Sequence, residues 1–160
     1  MAKKNRQNKP QSVRLSNKRA WHDYHIIEKV ECGIALTGTE VKSLRAGQAK
    51  IDEAYARVED GEVYLVGEHI SPYRQAGEAM QHDPTRKRKL LLRRRQIRQL
   101  EQHVRQKGKT IVPLSVYFHR GWAKCEIGVA EGKRTYDKRQ ALKERQQKRE
   151  IARELRRYKR

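Results

Sequence analysis

Three features of the sequence predict a mainly β protein, a small antiparallel OB-like barrel with flanking short helices and a basic C-terminal tail. Short apolar/polar alternations recur between turn residues, most clearly over residues 53–59 and 62–70. Helical periodicity is confined to brief stretches. Beyond Gly132 the core signal stops while positive charge stays dense. A sheet this small commonly holds nucleic acid as an OB-like barrel. With 160 residues, of which 36% are apolar, the chain can build one modest core.

Residues 1–15 read as a disordered basic arm, with Lys3, Lys4, Arg6, Lys9 and Arg14 among scattered apolar positions. Asn17-Lys18-Arg19-Ala20 makes a short helical turn. Tyr24 to Leu36 reads as a long strand, bent or bulged at Gly33. Thr37-Gly38-Thr39-Glu40 starts a helix that presents Val41 and Leu44 to the core and stops at Gly47. Ala54, Ala56 and Val58 alternate with Tyr55, Arg57 and Glu59. Asp60-Gly61 supplies the positive φ angles of a tight hairpin, and Val63 and Leu65 carry the return strand. Residues 71–89, with Pro72, Gly77 and Pro84, read as a surface loop. Leu90, Ile97, Leu100 and Val104 predict a helix over 90–107, ended by Gly108. Residues 110–118 and 123–130 pair as a second hairpin, with Pro113 marking an edge or bulge.

The barrel thus spans 16–130, and 131–160 form the tail. Ala141, Ile151, Ala152, Leu155 and Tyr158 fall within about 120° of one another on a helix. That stripe is thin, and thirteen basic residues in thirty repel one another. The expectation is a tail disordered when free and helical on an RNA surface.

Charge narrows the function. The chain holds 39 Lys+Arg against 19 Asp+Glu, a net charge of +20. Residues 20–81 are net acidic, while the segments 1–19, 82–109 and 131–160 are strongly basic. Three basic blocks around an acidic stretch attract a polyanion, and RNA is the abundant cytosolic one. No window approaches the ~18 apolar residues of a membrane span, and the N-terminus lacks a signal-peptide apolar region. A cytoplasmic protein without a membrane partner is expected. Cys32 and Cys125 match no metal-ligand spacing and read as reduced structural thiols.

Catalysis finds little support. His22 and His25 would face opposite ways on a strand, and no zinc spacing or phosphate-cradling glycine loop is present. No cofactor or metal is expected. The stronger signal is Arg86-Lys87-Arg88-Lys89 with Arg93-Arg94-Arg95, seven cations within ten residues, which can follow a phosphate backbone. Trp21, Tyr24, Tyr55, Tyr73, Trp122 and Tyr136 are available for stacking. Aromatics make up only 6% of the chain, so shape and backbone recognition of folded RNA fits better than broad single-strand stacking. Ribosomal protein, RNA chaperone and structured-RNA adaptor all satisfy this composition.

An ordered set of motifs separates these readings. Asn17-Lys18-Arg19-Ala20, Glu31-Cys32-Gly33-Ile34 and Gly38-Thr39-Glu40-Val41-Lys42-Ser43-Leu44-Arg45 come first. His69-Ile70-x-Pro72-Tyr73, Arg86-x-Arg88-Lys89-Leu90-Leu91-Leu92, Val112-Pro113-Leu114 and Gly132-Lys133-x-x-Tyr136-Asp137-Lys138-Arg139 follow. Together they resemble the SmpB family, the tmRNA-binding proteins of bacterial ribosome rescue. Cys32, Arg93 and Gly67-Glu68 depart from the family's commoner residues. The resemblance implies an OB-like barrel without enzymatic activity that binds the tRNA-like domain of tmRNA. It also implies a tail that occupies the decoding centre and empty mRNA channel of a stalled ribosome. Its partners would be tmRNA, ribosomal RNA of both subunits and, through alanyl-tmRNA, EF-Tu; the chain itself would be a monomer. A ribosomal or ribosome-assembly RNA-binding protein is the alternative, and an RNA-modifying enzyme a third class.

The expected tmRNA-binding residues are Asn17, Arg19, His22, Tyr24, Glu31, Leu91 and Lys124, with Arg86, Lys87, Arg88 and Lys89 as basic RNA contacts. In the tail, Gly132 bends the chain out of the barrel. Lys133 joins the ribosome-binding set; Lys138, Arg139, Arg153, Arg156 and Arg157 meet phosphate, Asp137 orients Lys138 and Arg139 or caps the start of the induced helix, and Tyr136 stacks on a base.

Overall fold

A computed structural model describes residues 13–158. Nine strands and four α-helices follow one another as β1 (Arg14–Ser16), α1 (Lys18–Asp23), β2 (Tyr24–Ile34), α2 (Gly38–Arg45), β3 (Ala49–Lys50), β4 (Tyr55–Glu59) and β5 (Glu62–Val66). Then come β6 (His69–Ile70), a 3-10 turn at Glu78–Met80, β7 (Arg88–Leu91), α3 (Arg94–Val104), β8 (Lys109–His119), β9 (Trp122–Gly132) and α4 (Thr135–Tyr158). The main sheet runs β1-β8-β4-β5-β7-β2-β9, and pairing of β8 with β9 closes six of its strands into a ring. β3 and β6 form a separate two-stranded sheet.

Two bulges decide which residues face the core. β2 shifts register between Ile26 and Glu28, so its alternation changes phase. Tyr24 and Ile26 lie outside against α1, whereas Val30, Cys32 and Ile34 point into the barrel. Glu31 and Gly33 are thereby turned outward. The bulge sits at Ile27, not at Gly33 as the sequence predicts. β8 shifts register between Pro113 and Ser115. Val112 and Leu114 pack outside under α1 with Ala20 and Ala130, while Ile111 and Val116 enter the main core. The barrel interior is completed by Leu65, Leu90, Ile97, Leu100, Ile127 and Val129.

The first hairpin turns on Asp60 (φ 49°) and Gly61 (φ 74°), the left-handed pair its sequence demands. Several expected boundaries move. Of the basic arm, residues 1–12 lie outside the described residues, and Arg14 and Leu15 pair with β8. Leu90 belongs to a strand, because residues 88–91 bridge β5 and β2; the helix starts only at Arg94. β9 continues to Gly132, where Glu131 and Gly132 pair with His25 and Tyr24, so the barrel ends two residues beyond Ala130. Cys32 and Cys125 are direct cross-strand partners in the core, and the Cys32 thiol donates to the Cys125 carbonyl at 3.2 Å.

Candidate RNA interface

Three strands meet at Gly33, which pairs with Leu91 of β7 on one side and Lys124 of β9 on the other. Leu91 covers the glycine: its Cβ and Cδ1 stand 3.3 Å from where a β-carbon would be. Glu31, two residues away on the same outer face, lies 4.0 Å from the Lys124 ammonium and accepts a hydrogen bond from the Tyr117 hydroxyl. Burial, with this bond and the charge of Glu31, pushes Tyr117 up to about 12, so it stays a donor. Leu91 is 54% exposed and the Glu31 side chain 57%. An open carboxylate, an ammonium and an apolar side chain on one patch can take a ribose hydroxyl, a phosphate and a sugar or base face together. Arg93 and Gln96 border this patch.

The remaining expected body residues gather elsewhere. Asn17, Arg19, His22 and Tyr24 surround α1, and Tyr24 is seven residues from Glu31 along β2, about 20 Å away. Asn17 is not a surface residue. Its amide nitrogen donates to Ile51 O (3.1 Å) and Pro113 O (2.9 Å), and its oxygen caps α1 by accepting from Ala20 N (2.9 Å). Every polar atom of that side chain is engaged inside the protein, which removes it from RNA and makes it the pin that positions α1. Arg19 and His22 are open, each beside Asp23, at 3.5 and 2.8 Å. Tyr24 is half-buried on the outer core.

The run 86–89 also changes meaning. Arg88 is 0% exposed; its Nε donates to Glu40 at 2.9 Å and its two terminal nitrogens to the carbonyls of Glu68, Arg86 and Pro84. Arg86 grips Glu40 through Nε (2.7 Å) and Nη2 (2.6 Å). Burial raises the Glu40 carboxyl, but the Arg86 bonds, the Thr37 amide and the charge of Arg88 outweigh it and hold the group below its ordinary range. Arg88 is therefore an internal brace joining α2 to β7, out of reach of phosphate, and the part-exposed Arg86 is committed to the same Glu40. Lys87 and Lys89 are half-exposed and face Glu59 (2.5 Å) and Glu62 (3.2 Å). Such surface pairs are weak enough to exchange for phosphate.

The root of the tail is tied to α1. Lys133 N donates to Asp23 O at 2.9 Å and its ammonium to Trp21 O at 3.1 Å. Lys138 lies 3.5 Å from Asp23, and Asp137 3.8 Å from His25. The hydrogen bond from His22, with Lys138 nearby, lowers the Asp23 carboxyl. Gly132 has no positive φ and open space around it, so the exit from the barrel does not depend on glycine. Tyr136 and Arg139 are exposed, and no residue of α4 is buried. Arg153, Arg156 and Arg157 are exposed in its last turns.

Asp23 and Tyr117 are the positions sequence reasoning missed. Asp23 reads as one more solvated acid, and nothing local links it to Lys138, 115 positions on. Tyr117 sits in an apolar strand with no mark of its partner Glu31. Of the stacking candidates, Trp21 and Tyr73 each carry a lysine over one ring face, Lys29 (4.6 Å) and Lys42 (5.3 Å), while Trp122 and Tyr136 are the most open. Among the described residues no cluster of three or more His, Cys, Asp or Glu could hold a metal, and no helix is long and apolar enough to cross a membrane.

The chain is similar to known proteins over most of its length. Residues 14–157 match the family described as SmpB protein. An SsrA-binding protein of Synechococcus sp. (strain JA-2-3B'a(2-13)) is 55% identical over 141 residues, 88% of this chain and 92% of the relative. Another SsrA-binding protein, of Latilactobacillus sakei subsp. sakei (strain 23K), is 53% identical and covers 98% of this chain and 99% of its own length. A solved chain from work on tmRNA-SmpB and the centre of the bacterial ribosome superposes with a TM-score of 0.65. It is 51% identical, covering 81% of this chain and 94% of that one.

Proposed function

This chain belongs to the SmpB family, and from that premise we propose that it binds the tRNA-like domain of tmRNA and delivers it to stalled ribosomes for trans-translation. The observation that carries the reading is the convergence of Glu31, Leu91 and Lys124 on one open patch from three strands. Glu31 accepts from ribose or base groups, Lys124 meets a phosphate, and Leu91 rests against the nucleotide face. Arg19 and His22, about 20 Å away beside α1, form a second contact for the same folded RNA.

The tail serves the ribosomal step. α4 carries Arg139, Arg153, Arg156 and Arg157 toward ribosomal RNA in the decoding centre and empty mRNA channel, and Tyr136 stacks on an exposed base. Lys133 and Lys138 join them once Asp23 releases Lys138. The chain acts as an adaptor without chemistry of its own, as a monomer, and meets EF-Tu only through alanyl-tmRNA.

Sequencing the RNA that co-purifies with the chain tests the reading directly: tmRNA is the expected species, and a ribosomal RNA fragment alone would favour a ribosomal or assembly protein. Replacing Glu31 with Ala should weaken binding of the tRNA-like domain about tenfold, or ~1.4 kcal/mol. Changing Asp137, Lys138 and Arg139 together to Ala should leave that binding nearly intact and abolish tagging of stalled nascent chains. Normal tagging by the triple variant would remove the decoding-centre role.

A further inference from the structure

Helix α3 carries an arginine stripe that its own fold does not use. Ile97 and Leu100 bury the inner face. On the opposite side Arg94, Arg95, Arg98 and Arg105 fall within about 100° of one another, over a length of about 16 Å. Arg105 lies 3.1 Å from Glu101. Arg94, Arg95 and Arg98 are exposed and meet no carboxylate among the described residues. The preceding cations behave differently, since Arg86, Lys87, Arg88 and Lys89 all face carboxylates.

The stripe also works against the helix that bears it. The first turn of α3 holds Arg94 and Arg95 and no acidic residue. Positive charge at a helix N-terminus opposes the macrodipole, so local stability does not account for these side chains. Together the helix end and the guanidinium groups concentrate positive potential at one place, beside Arg93 and Gln96, which border the patch of Glu31, Leu91 and Lys124. No Phe, Tyr or Trp occurs between Arg93 and Lys109. The stripe lacks an aromatic platform for splayed bases and offers chiefly charge and planar donors, the means of gripping a sugar–phosphate backbone.

We propose that Arg94, Arg95 and Arg98 of α3 form a phosphate-binding rail for a double-helical RNA segment, continuing the Glu31–Leu91–Lys124 patch along the helix. This rests on the RNA-binding reading above and moves the body's principal phosphate contacts from the 86–89 run to α3. The rail supplies charge and register, whereas the patch at Gly33 supplies selectivity.

The test is the salt dependence of full-chain affinity for a transcript of the tRNA-like domain of tmRNA. Losing three phosphate contacts should lower the log–log slope of R94Q/R95Q/R98Q by about 2 and cut affinity more than tenfold at low salt. R94K/R95K/R98K should keep the wild-type slope, because counterion release counts charges. The Gln variant should melt at or above the wild-type temperature, which separates lost contacts from lost folding. A Gln variant with the wild-type slope overturns the rail, leaving the stripe to an acidic protein surface, while the function stands. A wild-type chain that does not bind this RNA overturns both.

Discussion

Glu68 sits fully buried with neither carboxylate oxygen hydrogen-bonded among the described residues, and its nearest cation, Arg88, is 3.6 Å away and already committed to Glu40. Burial, with the charge of Glu40 adding to it, raises the group from 4.5 to about 7 against the pull of Arg88. A carboxyl whose folded value is raised stabilises the fold below its unfolded value, and that contribution is lost as pH rises through the folded one. Urea denaturation should therefore show stability falling by up to about 3 kcal/mol between pH 4.5 and pH 8. In Glu68→Gln that dependence should flatten, with the variant the more stable protein at pH 8. Asn17→Ala should cost about 1–2 kcal/mol through the lost cap alone, with more from the unpaired Ile51 and Pro113 carbonyls. The sequence signals both residues poorly. Asn17 before a helical turn announces a cap, but not its bonds to carbonyls 34 and 96 positions away. Arg86 and Arg88 read as surface charge because Glu40, their partner, is 46 and 48 positions upstream in another motif. Residue type was legible in such cases, whereas burial and partners depend on long-range pairing that one sequence does not display.

At the level of elements, the first hairpin, α2 and the β8–β9 hairpin were legible, since their turn residues and alternation are local. β7 was not: Leu90 and Leu91 continue smoothly into the helical spacing of Ile97 and Leu100, and only pairing with β5 and β2 makes them a strand. The bulge at Ile27 has no glycine to mark it, yet it turns Glu31 outward. Near it, β9 passes beneath side chains of β2 and β8 at Gly128, where an added β-carbon would stand 3.0 Å from both Ile26 and Leu114. Both neighbours pack on the outer core, so Gly128→Ala should destabilise the fold by about 1–3 kcal/mol. Gly132→Ala, with open space around it, should change the melting temperature little. A Gly128 variant as stable as wild type would mean that Ile26 and Leu114 give way without cost.

For the whole molecule, the division between body and tail makes a further prediction. A chain ending at Arg134 keeps all of β9 and the Lys133 contacts. It should retain affinity for the tRNA-like domain to within about 2 kcal/mol, a factor of roughly 30, in a binding titration. Ending at Ala130 would instead remove the last rungs of the β2–β9 ladder and confuse folding with function. The outline of a basic barrel with a basic tail was visible in the composition; the distribution of its free charge was not, because intramolecular carboxylates neutralise one cationic run and spare another. The attachment of α4 has a mechanical corollary. From the Asp23–Lys138 and His25–Asp137 contacts the helix runs on for about 30 Å to Tyr158. A pivot of about 10° at that fulcrum sweeps the far end through about 5 Å, roughly one helical turn. Small adjustments at Asp23 are thus geared up into large displacements of Arg156 and Arg157.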